Sequence, residues 1–233
     1  RLLSNKDDYQ FNIIVAPGLT YANTTTQLDS IVSLAESRGD CIAVIDLVNY
    51  DSTLAGATTK ALSLNTSYGA SYWPWVQMRS ATGRNEWCPA SVVIPGVYAF
   101  TDAAAAPWFA PAGLVRGGIP GVIQTERRLS KSDRDNLYAG KVNPIATSPG
   151  TGISIMGQKT LQSKASALDR VNVRRLLIDL KKFIGDQART LVFEQNTIST
   201  RNKFLAAVNP YLESVVQRQG LYAYRVVMDD TNN

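Results

Sequence analysis

Acid–base or metal chemistry in this chain falls to carboxylates, because its 233 residues include no histidine and only two cysteines, Cys41 and Cys88. That composition excludes Cys/His zinc sites and every triad or dyad built on histidine. Two cysteines far apart in sequence read as small core residues in a reducing compartment. The candidate carboxylates are Asp46, Asp51, Asp102, Asp133 and Asp135. Asp133 and Asp135 straddle Arg134 in the first turn of an expected helix, where negative charge meets the positive end of the helix dipole, so they read as caps. Asp46 lies inside an apolar run and is expected to be buried, either as a hydrogen-bonded structural group or as a catalytic one.

Gly152 to Thr160, G-I-S-I-M-G-Q-K-T, nearly spells a phosphate-binding loop. In such a loop the lysine directly follows the last glycine and so reaches the β/γ-phosphates; here Gln158 displaces Lys159. The preceding residues read as a strand rather than an anion nest, so neither nucleotide nor any other cofactor is expected.

The net charge of +5 is unevenly placed: residues 1–80 hold 5 basic and 7 acidic side chains, residues 126–189 hold 13 basic and 6 acidic. Within the basic block Arg175, Lys182 and Arg189 recur every seven residues, opposite a stripe of Val173, Leu177, Leu180, Ile184, Ala188 and Leu191. The spacing predicts a core-facing helix with a basic back. That back is either a solvated face or, with Arg174 and Lys181 on its flank, a docking ridge for an acidic partner. Nucleic acid is a weaker reading, because single-strand binders need exposed stacking aromatics beside the charge. Phe183 falls toward the apolar side, and Tyr222 and Tyr224 lead into Asp229 and Asp230, which repel phosphate.

Ala104 to Ile119 combines Pro107 and Pro111 with Trp108, Phe109, Gly113, Gly117 and Gly118. Fixed φ, bulky rings and glycines together predict a rigid, packed loop rather than a ligand site.

These residues have to be positioned by a largely apolar chain, 45% hydrophobic and 18% charged, without an apolar run near the roughly 20 residues of a membrane span. Phe11–Val15 reads as a strand turning at Ala16-Pro17-Gly18. Thr24–Arg38 reads as a helix closed by Gly39, and Cys41–Val48 as a buried strand, together a parallel βαβ unit. A helix at 54–64, an edge-like strand across S-Y-W-P-W-V-Q-M and a helix at 88–102 broken at Pro95-Gly96 follow. A short capped helix over 130–141, two strands around S-P-G-T-G, and helices at 170–193 and 200–219, the latter interrupted at Pro210, lead to a last strand, L-Y-A-Y-R-V-V-M. The fold class is α/β: one domain with a central mixed sheet flanked by helices, ending in two long helices and a strand. Both ends read as cut, so residues 1–233 are expected to be a core piece of a longer polypeptide.

Several strings, in order along residues 88–233, resemble contractile tail sheath proteins. Trp108, Pro111, Ala112, Gly113, Arg116 and Gly117 match the family's W-x-x-P-A-G-x-x-R-G segment. Gly152, Gly157, Lys159, Thr160 and Leu161 match its G-x-x-x-x-G-x-(R/K)-T-L segment. L-Y-A-G-K-V-N-P-I from Leu137, D-R-V-N-V-R-R-L from Asp169, F-E-Q-N from Phe193 and Y-A-Y-R-V-V-M-D-D-T-N-N from Tyr222 resemble it too, with Gln195 where relatives often carry proline. The set looks more like the T4-type branch than the type VI secretion sheaths.

The resemblance implies a structural, non-enzymatic subunit of a virion tail, assembled in the host cytoplasm, that stacks as hexameric rings around a tail tube and contracts without a nucleotide. Its implied partners are further copies of itself through terminal arms, the tube protein, and baseplate and terminator proteins, with no membrane insertion. The basic residues Arg174, Arg175, Lys181, Lys182 and Arg189 would face the tube or a neighbouring subunit. A pyocin-like bacterial injection particle, an enzyme using Asp46 and a nucleic-acid module are the alternatives.

Overall fold

The structure, a computed structural model, describes residues 2–229; Arg1 and the Asp230 to Asn233 end of the last family-like segment lie outside the described residues. The chain forms two compact units, Arg1–Arg175 and Leu176–Asn233.

The first unit is built on a five-stranded sheet in the order β1-β2-β3-β7-β8, with β1 at Ile13–Thr20, β2 at Ile42–Asp46, β3 at Gly69–Trp73, β7 at Asn143–Ser148 and β8 at Gly152–Ile155. The expected βαβ unit is present: β1 and β2 run parallel, Ile13 opposite Ile42, across α1 at Thr25–Arg38. The β2–β3 and β3–β7 pairings are also parallel, and β7–β8 is an antiparallel hairpin, so the sheet is mixed. Every residue of β2 and β3 is buried, as strands covered on both faces must be. Side chains alternate between those faces. Ala43, Ile45 and Trp73 join Leu28, Val32 and Ala35 of α1, Ala57 and Ala61 of α2 (Leu54–Leu62), and Leu137 of α5 (Lys131–Ala139) in one core. Tyr72, on the other face, meets Tyr98 of α3 (Ile94–Ala104) with ring centroids 6.4 Å apart.

Several elements depart from expectation. β1 continues through Ala16-Pro17-Gly18 as an irregular edge strand, where an exposed proline loses no ladder bond. The stretch S-Y-W-P-W-V-Q-M divides between two sheets. Its first part completes β3, the Trp73–Pro74 peptide is cis, and β4 at Val76–Arg79 then enters a separate antiparallel sheet, β5-β4-β6, with β5 at Asn85–Cys88 and β6 at Val122–Thr125. Pro95 starts α3 instead of breaking a helix, because the first turn needs no N–H from that residue. A four-residue turn, α4, spans Gly113–Arg116.

Helix α6, Val171–Arg189, begins in the first unit. The second unit also holds α7, Ile198–Gln217, which runs through Pro210 uninterrupted: a proline forfeits one main-chain bond, and the flanking turns retain theirs. Phe183 stacks on Tyr211 with centroids 3.9 Å apart, and the Tyr211 hydroxyl donates to Asp179 Oδ2 at 2.5 Å. Residues 221–228 do not form the expected last strand. The alternating pattern is there, but a strand exists only within a ladder beside another strand, and these residues are in none of the strands of the described residues.

Candidate functional site

The proline–tryptophan loop is packed as its composition predicts. Trp108 is 7% exposed, its carbonyl accepts from Asn172 Nδ2 at 3.1 Å, and Pro111, three residues on, is also buried. Arg116 lies over the Phe109 ring at 5.3 Å and donates from Nε to the Ala110 carbonyl at 3.2 Å, bridging the turn that carries Ala112 and Gly113. A Cβ on Gly117 would stand 2.7 Å from the backbone of Gly113, so only glycine closes that turn. The main chain then ties to β8, Ile155 N donating to Gly117 O at 2.8 Å and Ile119 N to Ile153 O at 3.1 Å.

The near-phosphate loop holds no anion nest; it is a strand leading into a clamp. Asn143, fully buried, donates from Nδ2 to the carbonyls of Ser71 and Lys159 and accepts from Lys159 N at 2.6 Å. Gly157 must pass beside it, where a Cβ would meet Tyr138 Cδ2 at 2.9 Å and Asn143 Oδ1 at 3.0 Å. Thr160 donates from Oγ1 to Leu168 O at 2.9 Å, and Lys159 places its ammonium over the Tyr138 ring at 4.4 Å instead of toward a phosphate. Asn143 escaped the sequence reading, although its place between the apolar Val142 and Ile145 was the available sign of a buried amide.

Four of the five candidate carboxylates have partners within the fold. Asp46 is 5% exposed and accepts from Ser91 N at 3.1 Å and Ser91 Oγ at 2.5 Å. Burial pushes its carboxyl up to about 6, with the Ser91 bonds acting against that rise. Asp133 closes a capping box with Ser130, whose hydroxyl and amide hold its carboxyl below the ordinary value. Asp135 is exposed, and Asp51 pairs with Arg127 at 3.1 Å on the surface. Cys41 is buried with its thiol pushed up to about 11 by desolvation, and both cysteines are free. Among the described residues no three acidic or cysteine side chains gather to hold a metal, and no helix is long and apolar enough to cross a membrane.

The basic row requires correction. Arg174 and Arg175 are 5% and 4% exposed, so they do not lie on an open back of the helix. At its start α6 buries Val171, Arg174, Arg175 and Ile178, a stripe at helical spacing in which two arginines occupy inward positions. They can do so because partners await them. Arg175 bonds Asp102 Oδ2 at 2.5 Å and covers the Tyr98 ring at 4.5 Å, and Tyr98 shares a 2.6 Å hydroxyl contact with Tyr72. Burial raises the pKa of both tyrosines, Tyr98 to about 12, so the pair stays neutral beside the arginine. Lys181 and Arg189 are exposed and Lys182 half-buried, so three of the five cations remain on the surface.

The chain matches the phage tail sheath protein central domain family over residues 2–161. It is 33% identical to the tail sheath protein of Vibrio phage KVP40 along its whole length, and 32% identical to that of Enterobacteria phage T4 along 93% of it. It spans 38% and 36% of those two relatives. Its fold is similar to the sheath complex of an extracellular contractile injection system in the contracted state, with TM-score 0.77 and 26% identity over 94% of this chain and 58% of that one. It is also similar to the contracted helical sheath of the anti-feeding prophage, with TM-score 0.71 and 25% identity over 94% of this chain and 59% of that one. With its family model matched over residues 2–161 and more than 30% identity to two phage tail sheath proteins along nearly its whole length, the chain belongs to the phage tail sheath protein central domain family.

Proposed function

We propose that this chain is the folded core of a virion tail sheath subunit that polymerises around a tail tube in stacked six-fold rings and contracts to drive the tube through a host envelope. The observation that carries the reading is the family match over residues 2–161 together with identities above 30% to two phage sheath proteins. In this reading the subunit is mechanical rather than enzymatic: its carboxylates are consumed by capping and packing, and its lysine loop is closed by a side-chain amide. Its partners are further copies of itself, the tube, and baseplate and terminator proteins, assembled in the host cytoplasm. Lys181, Lys182 and Arg189 supply the cationic surface for the tube or a neighbouring subunit, while Arg174 and Arg175 act inside the fold. Residues 1–233 serve as one working core, with the linking arms supplied by the longer polypeptide. A bacterial injection particle is the second reading, favoured by the 0.77 TM-score to an extracellular injection sheath.

Negative-stain electron microscopy of the full-length polypeptide, expressed with and without its tube protein, tests the reading. Striated cylinders or stacked rings are expected. Small monodisperse particles under both conditions overturn it.

A further inference from the structure

Between Asp135 and Asp169 the sequence holds three lysines, Lys141, Lys159 and Lys164, and no acidic residue. Folding gathers two of them at one tyrosine. Lys159 and Arg170 oppose each other across an isolated antiparallel bridge and share the Tyr138 ring, the ammonium 4.4 Å and the guanidinium carbon 5.6 Å from its centroid. Arg170 is satisfied there, its Nε paired with Asp169 at 3.1 Å and its Nη1 donating to the Tyr138 hydroxyl. Lys141 stands just past the end of α5, where its Nζ donates to Ser163 Oγ at 2.7 Å. Burial and the charge of Lys159 both push the Lys141 pKa down, which places the two ammonium groups in one cluster. Among the described residues neither lysine pairs with a carboxylate; the ion pairs are those of Arg38, Arg127, Arg170 and Arg175. Both lysines are half-buried, so each keeps an open side.

The opposite charge lies on α1. Between Lys6 and Lys60 the sequence has one basic residue, Arg38, which is 3% exposed and pairs with Asp40 at 2.8 Å. Asp29 and Glu36, seven residues and so roughly 10 Å apart on one flank of the helix, are exposed and have no ion-pair partner among the described residues. The side chains exposed around them, Thr26, Gln27, Ser30, Ser33 and Ser37, are uncharged. Lys164 shares a cleft with Glu36 but forms no ion pair with it. Helix α1 packs on β1 and β2 and α5 on β7, two strands further along the sheet, and the two sets of charges do not pair within one copy. Opposite charges at two separate places on one chain complement each other between copies, in a heterologous contact that repeats into a ring or a helix.

We propose that Lys141 and Lys159, gathered at Tyr138, form a docking site for a second copy of this chain, which presents the Asp29 and Glu36 flank of its α1. The contact deepens the sheath reading above, on which it rests for the expectation that copies adjoin. Partial burial strengthens each pairing over that of two fully exposed charges, and mutual repulsion between the lysines is relieved when carboxylates arrive.

Sedimentation velocity of the full-length polypeptide alone, at low and at high salt, reads this contact apart from cylinder formation around the tube. Wild type is expected to self-associate, and less so as salt screens the pairs. Lys141→Glu with Lys159→Glu, and separately Asp29→Lys with Glu36→Lys, should each weaken association at least about ten-fold. All four changes in one chain restore the complement and should recover association to within about three-fold of wild type. Where a reversal does not fold, Lys141→Gln and Glu36→Gln should each weaken association about two- to five-fold, and the two together no more than either alone. Wild type that stays monomeric, reversals without effect, or a combined variant no better than its halves overturns the proposal. If striated cylinders form in spite of such a result, the sheath reading stands without this contact. Association that follows the charges while no cylinders form upholds the contact and overturns the sheath reading.

Discussion

At the scale of single residues, burial decides what a chemically able group does. Asp46 has the chemistry of a general base, yet both its oxygens are occupied by Ser91. Its carboxyl is raised from 3.8 to about 6, so its ionisation works against the fold. A raised folded pKa contributes stability that is complete below about pH 4 and is lost as pH rises through about 6. The stability of wild type relative to Asp46→Asn should therefore fall by about 3 kcal/mol in all as pH is raised from about 3 to about 7, about 2 of it between those two pH values, in urea unfolding series; a constant difference would sink the assignment. Trp108, 7% exposed, is a packing residue, and Trp108→Ala should destabilise the chain by about 3–5 kcal/mol in the same assay. That ring was legible in the sequence, since a tryptophan between two prolines has few roles except packing. The pairing of Arg175 with Asp102 was not, because the two are 73 residues apart and neither carries a local sign of the other.

At the scale of elements, the sequence reading succeeded where pattern and local chemistry agree. The β1–α1–β2 unit, the Ser130 capping box and the β7–β8 hairpin all follow from apolar period, cap residues and turn glycines. It failed where a strand changes partners. Nothing in S-Y-W-P-W-V-Q-M says that the chain leaves one sheet at Pro74 and enters another at Val76, because both halves carry the same residue types. The Asn143 clamp belongs at this scale, since one amide holds β7, β3 and the Lys159 backbone together. Asn143→Ala should cost at least about 2 kcal/mol, because it strands buried main-chain groups. It should also speed hydrogen exchange of the Lys159 amide before other amides of the sheet respond; an unchanged Lys159 rate would remove the clamp from the account.

At the scale of the whole molecule, the question is which cations are available to another protein. Reversing Arg175 and reversing Lys182 with Arg189 should have opposite consequences. Arg175→Glu places a carboxylate against Asp102 in a buried pair and should unfold the first unit or lower its stability by about 3–5 kcal/mol. Lys182→Glu with Arg189→Glu changes outlying side chains and should leave thermal melting within a few degrees of wild type while reducing sheath assembly around the tube, read by counting striated particles. Normal assembly by that double variant would remove the docking role from this face.

The sequence by itself determined the family, the layered α/β class and the absence of histidine chemistry, because these depend on residue identity, composition and short-range period. Only the tertiary structure decided which way the basic helix faces. Periodicity ranks positions by hydrophobicity and so turned the arginines outward, whereas Arg174 and Arg175 point inward because Tyr68, Ser67, Tyr98 and Asp102, distant in sequence, meet them there. Compensation of a buried charge is a property of neighbours brought together by folding, and the spacing of residues along one helix does not contain it.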